Sequence, residues 1–267
     1  MSQDPFYKFH WKEIDEERMA AYRTMFKWSD DAEQLYAPTG IRGGQTVADF
    51  GCGPGYTAVE FAKRVGAEGR VHALDINADF LAQMRENAEL AGFADRISPH
   101  QCDGSALPLA DAGLDCISAR NAIMYVDDPV QTFREFYRVL KPGGIVHAIE
   151  GDRFMMVMEP VPHDLWRSFV KAAAHACRTA DMGRKLYLAA SEAGFETVNL
   201  QVIANADTCG RLLPMVTNMA KYARLSGVMR DEDIDQVVEI VQQALQDGVY
   251  LAVSPQFVVV GTRPTDT

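Results

Sequence analysis

The sequence offers little for covalent or metal cross-links. Its five cysteines, Cys52, Cys102, Cys116, Cys177 and Cys209, are odd in number and widely spaced, and no C-x-x-C occurs. Neither a disulfide framework nor a zinc site is indicated, so no metal is expected and a reduced, cytoplasmic protein is the economical expectation. Clustered positive charge is missing too. No basic run exceeds two residues and the formal net charge is −11, which works against binding to a phosphate backbone. No nucleic-acid partner is therefore expected. No apolar run approaches the roughly 18 residues that span a bilayer. The opening MSQDPFYKFH lacks the basic segment and apolar core of a signal peptide. A membrane partner is not expected either. Repeats and low-complexity segments are absent.

What the chain does have is enough apolar content for a sizeable core: 48% hydrophobic and 24% charged residues over 267 positions. Its first half alternates two periodicities. QTVADFG (45–51), GRVHALDI (69–76), RISPHQCD (96–103), LDCISARN (114–121) and IVHAIEG (145–151) read as strands, with Pro99 weakening the third. Between them lie helical patterns. One covers 56–65 and closes at Gly66. A second is capped by Asn77, with Phe80, Leu81, Met84, Ala88 and Ala91 on one face. A third is opened by Asp128-Pro129 and stopped by KPGG (141–144). Strand alternating with helix predicts an α/β fold with a parallel sheet covered on both faces.

After residue 151 the rhythm breaks. Helices are expected over 163–178 and 184–195, followed by strand ETVNLQVIA, a helical insertion over 208–248, and one closing strand YLAVSPQFVVVGTR bulged at Pro255. Residues 1–40 read as a helical cover. Residues 41–267 read as the main domain, with helical insertions at about 155–182 and 208–248.

Three glycines, Gly51, Gly53 and Gly55, end the first strand, where parallel sheets bind ligands. The spacing G-x-G-x-G departs from the dinucleotide pattern G-x-G-x-x-G, and no Gly-Lys-Ser/Thr follows to make a phosphate loop. Asp75 ends the second strand, where a carboxylate can accept from both hydroxyls of a ribose. Asp103-Gly104 ends the third, an acid for an exocyclic amine beside a glycine that admits a flat ring.

In order and spacing, VADFGCGPG, VHALDI, CDGSALPL, ARNAIMYVDDP and RVLKPGG resemble the motifs of class I S-adenosylmethionine-dependent methyltransferases of the small-molecule type. The resemblance covers residues 40–150 well and GRKLYLAASEAGFETV more loosely. It implies a Rossmann-like sheet of seven strands, mostly parallel with the last antiparallel. It also implies S-adenosylmethionine as cofactor and S-adenosylhomocysteine as product. By the same resemblance, Gly51, Gly53 and Gly55 cradle the methionine moiety with their backbone groups. Asp75 takes the ribose, Ile76 packs on the adenine, and Asp103 holds its amine beside Gly104. Asn121 and Ala122 contact the methionine part, and Asp49 positions its amino end. The expected reaction is transfer of a methyl group to oxygen or nitrogen of a small organic acceptor. Related folds also use this cofactor for cyclisation, carboxyl transfer or rearrangement, or serve as non-catalytic interaction proteins.

For the acceptor side, Glu150 and His163 are the catalytic candidates. Glu150 stands at the end of the fifth strand, and His163 opens a covering helix. Each also has a plain reading, as a cap and as a surface histidine. The N-terminal segment is rich in aromatics, Phe26 among them. Tyr7, Trp28 and Tyr36 from it, with Tyr125 after the fourth strand, are the candidate pocket walls. The alternative is simple packing on the sheet. Self-association is left open.

Overall fold

The protein is represented by a computed structural model that describes residues 6–25, 27, 28 and 30–265. Residues 1–5, which begin the stretch read against a signal peptide, and Phe26 lie outside the described residues. Three short helices lead in: α1 (Phe6–Lys12), α2 (Glu16–Met25) and α3 (Asp30–Tyr36). Then come β1 (Thr46–Phe50), α4 (Tyr56–Val65), β2 (Arg70–Asp75), α5 (Ala78–Leu90), β3 (Ile97–Gln101) and β4 (Leu114–Arg120), and after them α6 (Pro129–Val139) and β5 (Leu140–Gly151). The local signals act as expected. The Asn77 Oδ1 accepts from the Phe80 N–H at 2.8 Å, and the Asp128 carboxylate accepts from the Gln131 N–H at 3.0 Å with Pro129 in the first turn. Pro99 is tolerated because β3 is an edge strand, paired only with β2.

The second half continues with β6 (Val157–Glu159), α7 (His163–Ala173), α8 (Met182–Glu192), β7 (Glu196–Ile203) and β8 (Ala206–Asp207). It ends with α9 (Leu213–Ser226), α10 (Asp231–Gln246), β9 (Leu251–Val253) and β10 (Gln256–Thr262). The main sheet has seven strands in the order β3-β2-β1-β4-β5-β10-β7, with β10 antiparallel to both neighbours. Side chains alternate across it with period two. Ala48, Phe50, Ile117 and Ala148 join Phe133, Phe136 and Leu186 of α6 and α8 in one core. Val47, Cys116 and Ile149 join Phe61, Leu81 and Met84 of α4 and α5 in the other.

The closing segment differs from the single bulged strand expected. It breaks at Ser254 and Pro255 into two strands belonging to different sheets, since β9 pairs with β6 and β8 in a small three-stranded sheet. That sheet, α7, α9 and α10 form a lobe with its own core, containing Met158, Phe169, Val216, Ile234, Val241 and Ala252. The strand order reverses between β1 and β4, so the carboxyl ends of these strands flank a crevice.

Candidate active site

That crevice is a cavity of about 520 Å³ running from the ends of β1, β2 and β4 to the lobe, within the usual range for small-ligand sites. Its floor begins with the glycine loop, and every backbone N–H there is already used. Gly51 and Cys52 donate to the Leu74 carbonyl at 2.8 and 3.0 Å. Gly53 donates to Asp75 Oδ2 at 2.8 Å, Pro54 has no N–H, and Gly55 donates to the Cys52 carbonyl at 2.9 Å. The loop therefore has no donors left for a phosphate. The acids beside it suit a cation instead. The loop also turns through left-handed backbone at Gly51, Gly53 and Gly55, with φ of 70°, 51° and 85°.

Asp75 is 8% exposed, and its other oxygen accepts from the Asn77 N–H at 2.9 Å. The Ile76 N–H also favours the charged carboxylate, which with about four acceptor positions in all keeps room for a ligand hydroxyl. Burial raises its pKa to about 6, opposed by these backbone donors. Asp49 is buried more deeply. Burial, with the Asp75 charge adding to it, raises its pKa to about 7, and its Oδ2 has no hydrogen-bond partner. An orphaned buried carboxylate oxygen on a cavity wall fits the ammonium end of an amino-acid ligand.

Asp103 lies in an ion pair. Its Oδ2 accepts from Lys8 Nζ at 2.8 Å and its Oδ1 from the Ser105 N–H and hydroxyl, and these partners hold its carboxyl well below the usual range despite partial burial. Lys8 also reaches Asp127 at 2.9 Å, and the Tyr7 hydroxyl donates to the same carboxylate at 2.7 Å. Helix α1 is thus fastened to the ends of β3 and β4. Asn77 fastens its other end, donating to the carbonyls of Trp11 and Lys12.

Asp49, Gly51, Gly53, Asp75, Ile76, Asp103, Asn121 and Ala122 all line this one cavity. Gly55 and Gly104 stand outside its lining. A Cβ on Gly55 would fall 2.1 Å from Met84 Cγ, and one on Gly104 2.8 Å from Phe50 Cζ. Their smallness serves packing of α4 on α5 and of the β3 end on β1. Among the aromatic candidates, Tyr7, Tyr36 and Tyr125 line the cavity. Trp28 does not: it leans on Tyr36, ring centroids 5.0 Å apart, beneath the Arg64 guanidinium.

Neither catalytic candidate is on the cavity wall. His163 is exposed at the start of α7. Glu150 has no exposed surface. Its Oε1 accepts from the N–H groups of Ala122, Ile123 and Met124 at 2.8, 2.6 and 3.4 Å, holding the turn after β4, while burial raises its pKa to about 8. Asp152 caps the next turn through the Phe154 N–H and pairs with Arg184.

The sequence reading missed Lys8, Arg120, Arg153 and Asp127. Arg120 ends β4 on the cavity wall, close enough to Asp49 to lower its pKa. Its position before Asn121 in ARNA was the available signal. Arg153 follows β5 by two residues, and nothing in the sequence marks it. Among the described residues no His/Cys/Asp/Glu cluster could hold a metal ion, and no helix is long and apolar enough to cross a membrane.

A family model described as a methyltransferase domain matches residues 47–144. The ubiquinone/menaquinone biosynthesis C-methyltransferase UbiE of Pectobacterium carotovorum subsp. carotovorum (strain PC1) is 31% identical over 176 residues, 60% of this chain and 70% of that protein. Alignments with the UbiE proteins of Klebsiella pneumoniae subsp. pneumoniae and Enterobacter sp. (strain 638) span 48% of the relative. A putative methyltransferase from Bacillus halodurans C-125 superposes with a TM-score of 0.64 at 21% identity, covering 89% of this chain and all of that one. Phosphoethanolamine N-methyltransferase 2 of Haemonchus contortus, in complex with phosphomonomethylethanolamine and S-adenosylhomocysteine, gives 0.66 at 16% identity, covering 98% of this chain and 61% of that one. The chain belongs to the class I S-adenosylmethionine-dependent methyltransferases. It is an enzyme with S-adenosylmethionine as its cofactor.

Proposed function

We propose that the enzyme methylates a small organic acceptor at oxygen or nitrogen, with both reactants in the 520 Å³ cavity. The observation that carries this reading is continuity. The wall bearing Asp49, Asp75 and Asp103 passes without a break into one bearing Tyr125, Met156, Asn205, Leu212 and Asn218. Asp75 would hold the ribose hydroxyls and Asp103 the adenine amine. Asp49 would take the amino end of the methionine moiety and Arg120 its carboxylate. Gly51 and Ala122 would let the sulfur-bearing part approach closely.

When bound, the cofactor supplies an electrophilic methyl carbon on a sulfonium, open to in-line displacement. The chain's own contribution is orientation, which supplies roughly 7–11 kcal/mol in favourable systems. Tyr125, Asn205, Asn218 and Gln256 offer hydrogen bonds to a hydroxyl or amine of the acceptor. Glu150 stiffens the turn that presents Ala122 and Tyr125. The N-terminal helices and the lobe would exclude water from the transfer site.

A second reading places the methyl on carbon. It is favoured by the UbiE relatives, which are described as C-methyltransferases. One experiment separates the readings: incubation with methyl-labelled S-adenosylmethionine and a small-metabolite extract, followed by mass fragmentation of labelled products. Label on oxygen or nitrogen supports the first reading, label on carbon the second. A product without label removes methyl transfer altogether.

A further inference from the structure

The acceptor side of the cavity holds two basic groups, Arg153 after β5 and Arg211 after β8, and they differ in one respect. Arg211 approaches Asp207 at 3.8 Å. Arg153 meets no carboxylate within ion-pairing distance among the described residues. Its guanidinium instead lies against the Tyr125 hydroxyl and the Cys177 thiol, both neutral groups. Elsewhere Arg64, Arg138, Arg184, Arg224 and Arg230 each reach an acid, while Arg263 is held by backbone carbonyls instead.

None of the acids nearest Arg153 forms an ion pair with it. Asp152 caps the Phe154 N–H and pairs with Arg184. Glu150 turns Oε1 to three backbone N–H groups and buries an Oε2 with no partner; burial raises its pKa to about 8, outweighing the Arg153 charge, which favours the ionised form. Asp207 accepts from the Leu212 N–H at 2.8 Å and the Tyr250 hydroxyl at 3.0 Å. Burial keeps Tyr125 protonated far above neutral pH, so its hydroxyl remains a donor. Beside them stands Gln256, paired in register with Gly151 across the sheet, and its buried amide oxygen has no partner. The remaining wall is largely apolar, with Met124, Met156, Leu212 and Met215, interrupted by the amides of Asn205 and Asn218.

A guanidinium half-sequestered beside a neutral hydroxyl, with no carboxylate within ion-pairing distance, is a fork-shaped anion site. Resting on the methyl-transfer reading above, we infer that the acceptor carries an anionic oxygen group, carboxylate or phosphate, held by Arg153 and Tyr125. The rest of its body is apolar and bears a hydrogen-bonding substituent opposite Gln256. The anion anchors the molecule at the end of β5, and the reacting atom then faces the cofactor side across Tyr125.

The test uses the full chain saturated with S-adenosylhomocysteine, titrated calorimetrically with benzoate against benzamide and with phenyl phosphate against phenol. At least one anion should bind tighter than its neutral counterpart by about tenfold or more, as one charge-assisted pair supplies. Arg153→Met should erase the preference and Tyr125→Phe should reduce it, with affinity for S-adenosylhomocysteine retained in both as the check on folding. Whichever of benzoate and phenyl phosphate gains more identifies the head group. Equal binding of anion and neutral probe overturns the inference. So does a preference that survives Arg153→Met, or no saturation by either anion up to about 10 mM. Failure of S-adenosylhomocysteine itself to bind the unmodified chain would instead strike the methyl-transfer reading.

Discussion

Gly53 donates its backbone N–H to Asp75 at 2.8 Å, so the glycine loop and the end of the second strand form one rigid corner. Asp75→Ala removes the ribose acceptor and leaves the N–H groups of Gly53 and Asn77 unpaired, at about 1–3 kcal/mol each. The expected result is a loss of S-adenosylhomocysteine affinity of about 100-fold or more, with a melting temperature lower by several degrees. Calorimetric titration and thermal unfolding check both. Unchanged affinity would remove Asp75 from the cofactor site.

Asp49 has a pKa raised to about 7 and Asp75 to about 6, each from 3.8. An acid whose folded pKa is raised stabilises the fold below its unfolded value and loses that contribution as pH rises through the folded one. The ligand-free enzyme should therefore become less stable between about pH 4 and 7. Cofactor binding needs the ionised forms, so affinity should rise over the same range. Asp49→Asn should raise the melting temperature of the ligand-free protein at pH 8 while weakening S-adenosylhomocysteine by tenfold or more, a trade of stability against function. A variant with lower melting temperature at pH 8 would contradict the burial argument.

Glycine substitutions should separate steric from conformational demands. A Cβ at Gly51 falls 2.4 Å from the Ala122 Cβ and one at Gly55 2.1 Å from Met84 Cγ, whereas one at Gly66 meets nothing within 4 Å. All three have positive φ. Gly66, at φ 68° and ψ −164°, occupies a region nearly reserved to glycine, so Gly66→Ala should cost only that backbone strain, about 1–3 kcal/mol. Gly51→Ala and Gly55→Ala should cost several kcal/mol by denaturant unfolding, since backbone must shift. Equal destabilisation of the three would refute the distinction.

Asp127 receives both Tyr7 and Lys8. Asp127→Asn should loosen α1 and speed S-adenosylhomocysteine release severalfold in stopped-flow displacement, with cleavage within residues 6–12 becoming faster under limited proteolysis. Release and cleavage at unmodified rates would show that α1 does not gate the cavity.

The strand-and-helix order was legible because each early element carries its own punctuation: Asn77 and Asp128 cap, Pro129 starts, glycines stop. The small sheet was not, because β6, β8 and β9 span two or three residues each, too few to show an alternation. Spacing also brought out the glycine loop and the three acids that share its cavity. It could not reveal that Lys8 sits against Asp103, 95 positions away. Nor could it show that Glu150 faces backbone N–H groups, since a carboxylate at a strand end looks alike in either role. Arg153 escaped for a related reason: an arginine is notable only once it is seen to line a cavity with no carboxylate within ion-pairing distance.

Three of the passages between the large sheet and the lobe furnish cavity wall: Arg153 and Met156 after β5, Asn205 after β7, and Ser254 before β10. The acceptor would thus be gripped at the hinge line itself. Rocking of the lobe by even a small angle would change the spacing of these four side chains before it moved anything else, so lobe posture and acceptor fit are one mechanical variable.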